Sequence, residues 1–479
     1  PEQAADIYAE LLSRSNERDL HWLADHQGLF YSLVEAERLD EAVALSERLL
    51  ASQPARVRIA GTEQTRVNDA WIEARSMNAD AALFANDLPA AHAAFKTLSE
   101  QAPANSNFRV SGALIEQYRG WPRRAEGELK LAELSAPLSL PTLTAQAGNA
   151  QALREWARFR ELTEHLVERF PDSVKAQRLQ RALRIHDMYE FQIEASTGRS
   201  RGGSALGDSD LSVESRLYSR PLAEHWRLMV GAGYARGSFQ EGEGHHHWQR
   251  AGIEWTGRDH RVEADVSRQN YGVGTRTGLR IAAAHDLDDH WQIGWEWAER
   301  SFETPLRALN SGVDADLQRI YIRWYGSEQR DWRATVTTMG FSDGNRRLTT
   351  QLDGRERLVT WPRAQLDLAM SLATSRNSAP NEGPYFSPES ETGAMATLQH
   401  TTILYRRYEN VWRQIIQVGL GRYHQRDYGS AAIGMLAYGQ RLDLDERLTT
   451  GFTLSLNSRP YDGQRERDLR LTFDLSYRF

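Results

Sequence analysis

The 479-residue chain has no cysteine. That excludes disulfide scaffolds, cysteine nucleophiles and thiolate zinc sites, and leaves cytosol and periplasm equally open. Long apolar runs are missing as well. No stretch approaches the roughly 18 consecutive apolar residues of a transmembrane helix, and the mean hydropathy is −0.61. Those figures exclude helical spans only, because a strand that meets lipid at every second residue hides its apolar face in the average. A basic excess is absent too. Lys+Arg 58 against Asp+Glu 65 leave a formal charge of −7, which speaks against a nucleic-acid partner. The length exceeds one ordinary domain of about 100–200 residues. Position 1 is a proline inside a helical-looking segment, so a natural start, with any signal peptide, is expected upstream.

Glycine is scarce in one part of the chain only. Residues 1–188 hold 6 of the 35 glycines and 4 of the 14 tryptophans. The first part is rich in Ala, Leu, Glu and Arg at helical spacing; the second has short alternating segments between Gly, Asp and Asn turns. An all-α region followed by an all-β region is the consequence. Pro103, Pro137 and Pro171 recur every 34 residues, as do Ala91 and Ala125, Phe95 and Leu129, and Leu98, Ala132 and Leu166. A small residue, a large one four later and a proline eight further on mark the second helix of a tetratricopeptide repeat. An earlier unit uses Trp22, Leu29 and Leu33, then Ala42, Leu49 and Pro54, and a 15-residue insertion follows it. The expected parts are a repeat superhelix over 1–172, a connecting helix over 173–188 and an all-β part over 189–479.

The last eleven residues alternate without exception. Leu469, Leu471, Phe473, Leu475, Tyr477 and Phe479 are separated by Arg470, Thr472, Asp474, Ser476 and Arg478. The same dyad returns at Tyr189–Ser196, Trp291–Ala298 and Gln365–Leu372. A soluble sandwich or a membrane barrel would each produce it. Four features favour a 16-stranded antiparallel transmembrane barrel of porin type. About 16 segments are present, an even number. Tight connections at 221–225, 257–259, 286–290, 326–330, 408–410 and 443–445 alternate with long ones at 198–209, 304–314 and 376–392. Trp226, Trp248, Trp291, Trp332 and Trp412 stand near strand ends, where an interfacial girdle would need them. Phe479 closes the final strand.

A barrel of that size leaves an aqueous channel. Parity turns Glu190, Glu194, Glu214, Glu254, Glu263, Asp265, Glu296, Asp367 and Asp474 inward, with Arg216, Arg227, Arg470 and Arg478. This acidic lean suits a neutral or partly cationic passenger, and Glu254, Glu263, Asp265, Glu296, Asp367 and Asp474 are the candidate contacts. The three-proline loop 376–391 carries Tyr385 and Phe386, candidates for a sugar-stacking constriction or lid. His245, His246 and His247 alternate faces, so at most His245 and His247 could share a metal, with no clear acidic third ligand nearby, and no catalytic or phosphate-binding motif appears. No enzyme, metal or cofactor is expected.

The layout resembles the PgaA/HmsH family of outer-membrane exporters of poly-β-1,6-N-acetyl-D-glucosamine. The residues that carry it are the repeat units, Gly383-Pro384-Tyr385-Phe386-Ser387-Pro388, Gly421-Arg422-Tyr423 with Tyr428-Gly429-Ser430, and Arg459-Pro460-Tyr461-Asp462-Gly463-Gln464-Arg465-Glu466. The Tyr-Phe-Ser-Pro element alone is less specific, since the cellulose exporter carries something similar. The resemblance implies a monomeric outer-membrane porin surrounded by lipid that exports partially de-N-acetylated polymer, a biofilm exopolysaccharide, from periplasm to cell surface. It also implies a periplasmic repeat domain that engages the polymer and a PgaB-like deacetylase. Family members carry further repeats upstream. Export of cellulose or another polysaccharide is the same-class alternative; an outer-membrane enzyme or adhesin with a helical docking platform is the different-class one.

Overall fold

The computed structural model describes residues 1–15, 21–201 and 207–479. Contacts divide the chain into two compact units, one built on Pro1–Asn149, the other on Ala150–Val359, Gln365–Tyr405 and Glu409–Phe479.

The first unit is a run of helices: α1 (Glu2–Arg14), α2 (Trp22–Glu35), α3 (Leu39–Ser52), α4 (Asp69–Phe84), α5 (Leu88–Gln101), α6 (Ser106–Tyr118), α7 (Pro122–Ser135) and α8 (Leu140–Ala152). Side chains of Asn68, Asp87 and Asn105 cap α4, α5 and α6 by accepting from first-turn N–H groups, satisfying donors that a helix start leaves unpaired. The small-then-large pattern is what lets helix pairs approach. Ala91 and Ala125 are fully buried, with Phe95 and Leu129 sealing the gap above them. The 15-residue insertion is a hairpin, β1 (Arg56–Arg58) paired with β2 (Thr65–Val67).

The second unit opens with α9 (Trp156–Arg169) and α10 (Val174–His186). Strands then follow as β3 (Glu190–Arg201), β4 (Ser209–Tyr218), β5 (Trp226–Phe239), β6 (Gly242–Thr256), β7 (His260–Asn270) and β8 (Thr275–Asp286). Next come β9 (Trp291–Glu299), the short helix α11 (Leu306–Asn310), β10 (Ala315–Ser327), β11 (Arg330–Phe341), β12 (Arg346–Trp361) and β13 (Ala364–Asn377). The chain ends with β14 (Ser390–Arg407), β15 (Asn410–Gln425), β16 (Gly429–Leu444), β17 (Leu448–Tyr461) and β18 (Gln464–Arg478).

These sixteen strands form one closed barrel, sealed where β18 pairs with β3 in the register Leu471↔Thr197, Phe473↔Ala195 and Leu475↔Ile193. Closure follows from the solvent: in hydrocarbon no open edge can be hydrated, so every strand needs a neighbour on both sides. The outward set Leu454, Leu456, Leu469, Leu471 and Phe473 is exposed, an apolar belt that only lipid can cover.

Connections at the α9–α10 end are tight, as expected. At the opposite end only 300–314 and 378–389 are long; the 198–209 connection contains 202–206, outside the described residues. Asp462 (φ 50°) and Gly463 (φ 77°) form the two-residue turn between β17 and β18, where an Asp-Gly pair supplies the left-handed geometry that a twisted hairpin needs. Trp226, Trp291 and Trp412 are exposed on the outer face. Trp248 departs from the expected girdle. It faces the lumen, buried over Gly233, where an added Cβ would sit 2.1 Å from its ring.

Replacing Leu471 by Arg puts a charge on the lipid face, at a cost of about 2–4 kcal/mol near the midplane. Loss of the heat-modifiable folded band on gels is expected, whereas the same change at lumen-facing Thr472 should preserve it.

Candidate functional site

Register turns all six candidate carboxylates inward, but it does not leave them free. Glu263 accepts from Arg261 (2.8 Å) and Arg280 (3.1 Å), and Asp265 from Arg280 (3.3 Å). Glu296 is held by Arg280 (2.7 Å) and Arg319 (3.1 Å). Asp367 is buried against Arg357 (2.6 Å) and Arg355 (3.5 Å). Further round the wall Glu214 meets Arg216 (3.1 Å) and Arg250 (3.2 Å), and Glu190 meets Arg227 (2.9 Å) and Arg478 (3.1 Å).

Two candidates stand apart. Glu254 has Arg261 as its nearest guanidinium, 3.9 Å away and beyond hydrogen bonding. Asp474 is exposed to the lumen, directly across from Glu194 and Gly451.

The expected acidic lean is therefore corrected. Arg250, Arg261, Arg280, Arg319, Arg355 and Arg357 share the inner face with the carboxylates, and each sits between two or more strands. They build a ladder running Glu214–Arg250, Asp265–Arg280, Glu296–Arg319 and on to Glu303 (2.6 Å), a residue of the 300–314 loop. Isolated exposed pairs contribute little, but a network of fixed charges braces a wall and keeps it wet without one strong binding point.

The long loops turn inward. Tyr385 is buried, its ring stacked 4.6 Å from lumen-facing Phe341. Its hydroxyl donates to Asp343 (3.0 Å) and accepts from Asn345 Nδ2 (3.1 Å), and burial pushes the phenol up to about 12. Tyr385 thus anchors the loop. Phe386 meets Tyr461 of β17 edge-on at 5.0 Å, and its carbonyl accepts from Arg347 (2.5 Å).

Sequence reasoning took 304–314 as an external loop. Its α11 instead packs Ala308 against inward-facing Leu317, Met339 and Phe341, and Leu309 is buried beside it. Leu306 and Asn310 lie over Gly237 and Gly244 of β5 and β6, and Phe302 lies 5.5 Å from Trp248. The loop is a chord across the lumen from β9–β10 to β5–β6. Leu306 and Leu309 within 304–314, with Phe302 just before it, were the available signal.

The opposite mouth is bounded by α9 and α10. Glu155 pairs with Arg258, Arg154 with Asp286, Arg160 with Glu224 (2.9 Å) and Asp187 (2.8 Å), and Arg178 with Glu409 (3.5 Å). Beneath them lies a cavity of about 610 Å³ that reaches Trp156, His186, Glu190, Tyr218, Arg227 and Glu254. Trp156 and His186 stack at 4.0 Å. Burial lowers His186 to about 4, with Asp187 and Glu224 opposing the drop and Arg478 and Arg227 adding to it.

Deleting residues 303–311 removes the chord and should raise single-channel conductance severalfold; unchanged conductance would place the constriction elsewhere. The His186 stack makes a second prediction. Detached, the imidazole titrates near 6.5, so the stack contributes fully above that pH and loses its contribution as pH falls toward 4. Hydrogen exchange in α10, corrected for intrinsic rate, should rise over that window, and His186→Phe should flatten the rise.

The profile of the PgaA membrane beta barrel domain matches residues 185–479. The chain is 34% identical over 481 residues to the "Poly-beta-1,6-N-acetyl-D-glucosamine export protein" of Escherichia coli K12, covering 100% of this chain and 59% of the relative. The O157:H7 protein of the same name gives the same figures. The chain thus spans about three-fifths of the length of the curated relatives it matches. A solved "Bacterial polysaccharide outer membrane secretin" is 33% identical with a TM-score of 0.58, over 61% of this chain and 99% of that one. A barrel-building sequence with an inward face of arginine–carboxylate pairs, and these likenesses along its whole length, belongs to the PgaA membrane β-barrel family.

Proposed function

We propose that the barrel is an outer-membrane conduit exporting partially de-N-acetylated poly-β-1,6-N-acetyl-D-glucosamine, a transporter with no chemistry of its own. The observation that carries this reading is the lining: a polar wall in which most inward carboxylates, Glu254 and Asp474 apart, are held by arginines. A moving polymer needs many weak contacts, because one tight site would stall it. Arginine and carboxylate groups offer donors and acceptors to hydroxyl, amide and amine alike, while their mutual pairing keeps any single contact weak.

The 300–314 chord closes the lumen at rest and swings aside as polymer passes. Residues 1–172 serve as a repeat domain, 173–188 as a connecting helix and 189–479 as the barrel. The repeats, with the concave surface that such stacks form, dock the polymer and a PgaB-like periplasmic deacetylase. The barrel works as a monomer.

The full protein, supplied to cells that make the hexosamine polymer but lack its exporter, should restore secretion. Restoration of cellulose secretion alone, in a matched cellulose-producing strain, would overturn the assignment of the polymer.

A further inference from the structure

Glu254 stands out among the inward carboxylates by what it lacks. It is buried on β6, directly opposite Glu263 and Arg227 in the register, yet among the described residues no guanidinium comes within hydrogen-bonding distance. Its neighbours show the contrast: Glu190 is engaged by two arginines, Ser476 and Gln192, and Glu263 by two arginines.

A second, independent feature lies in the same cavity. Trp156 and His186 present a stacked aromatic pair, and both Trp156 Nε1 and His186 Nε2 are buried without a hydrogen-bond partner among the described residues. Buried polar atoms without partners are uncommon and ask for a reason. The cavity, about 610 Å³, sets Trp156, His186 and Tyr218 among arginines and carboxylates, and its size and mixed lining suit one polar sugar unit.

Resting on the export reading above, we propose that this cavity binds one hexosamine unit of the polymer as it comes into the barrel. Glu254 accepts from the N–H at the unit's C2 nitrogen, amide or ammonium, and the apolar face of the sugar ring lies against Trp156. A ligand hydroxyl meets the unpartnered ring nitrogens once the stack shifts toward it. The site sits at the α9–α10 mouth and reads the charge that a de-N-acetylated hexosamine carries and glucose lacks.

Calorimetry on the full chain in detergent tests this with three β-1,6-linked tetramers: glucosamine, N-acetylglucosamine and glucose. The glucosamine tetramer should bind about tenfold more tightly than the N-acetylglucosamine and glucose tetramers, whose C2 N–H and O–H also donate to Glu254 but carry no charge. Glu254→Gln should abolish the preference for the glucosamine tetramer and Glu254→Asp should keep it, while Trp156→Ala should weaken all three. Each variant must show the folded, heat-modifiable band. Unaltered binding by folded Glu254→Gln and Trp156→Ala overturns the site, yet leaves export standing if the wild type still secretes polymer. Failure of the wild type both to bind any tetramer and to restore secretion overturns the export reading itself.

Discussion

One hydrogen-bonded seam holds the molecule in its membrane form, the pairing of β18 with β3. A sheet in hydrocarbon cannot leave an edge unsatisfied, so closure is the condition for every other feature. It forces each strand to show one face to lipid and one to the lumen. The lipid side is then fixed as Leu454, Leu456, Leu471 and Phe473. The lumen side inherits every polar side chain between them. A wide ring of charges that must tolerate one another is the outcome, and pairing across neighbouring strands is how it is resolved.

That pairing separates what is rigid from what can move. Arg280 touches Glu263, Asp265 and Glu296 at once, so it ties β7, β8 and β9 into one stiff panel. The 300–314 chord is tied to that panel by Arg319 to Glu303, Gln269 to the Arg300 carbonyl, Arg300 to the Thr277 carbonyl and Tyr271 to Asp314, and Arg307 reaches Glu241 beyond it; apolar contacts of Phe302, Leu306 and Ala308 add to these. Apolar contacts are non-directional and reform easily, as a segment that opens and closes requires. The α9–α10 pair is held by separate ion pairs to turns around the opposite mouth.

Much of this was legible in the sequence, for a physical reason. β18 reads cleanly because lipid tolerates only apolar groups at Leu469 through Tyr477, and the 34-residue recurrence of Ala91 and Ala125 reads cleanly because only a small side chain fits where helices cross. The arginines of the wall were harder to see. Arg280 precedes Ile281-Ala282-Ala283-Ala284, where alternation has almost no contrast, and Arg319 depends on where β10 begins. Trp248 looked like a girdle residue because distance from a turn was readable and facing was not. Infolding of 300–314 is a tertiary event, decided by Gly237 and Gly244 making room on strands far away in sequence. The same limit hid the buried role of Tyr385.

The central claim, that the chord across the lumen must move for polymer to pass, has a direct test because the chain contains no cysteine of its own. A Cβ added at Gly244 would lie 3.1 Å from Cβ of Asn310, within adjustment of the roughly 3.5–4.5 Å that a disulfide spans. With Gly244→Cys and Asn310→Cys together, polymer secretion should stop under oxidising conditions and return on adding reductant, while either single change secretes normally. Undiminished secretion with the disulfide verified as formed would contradict the account.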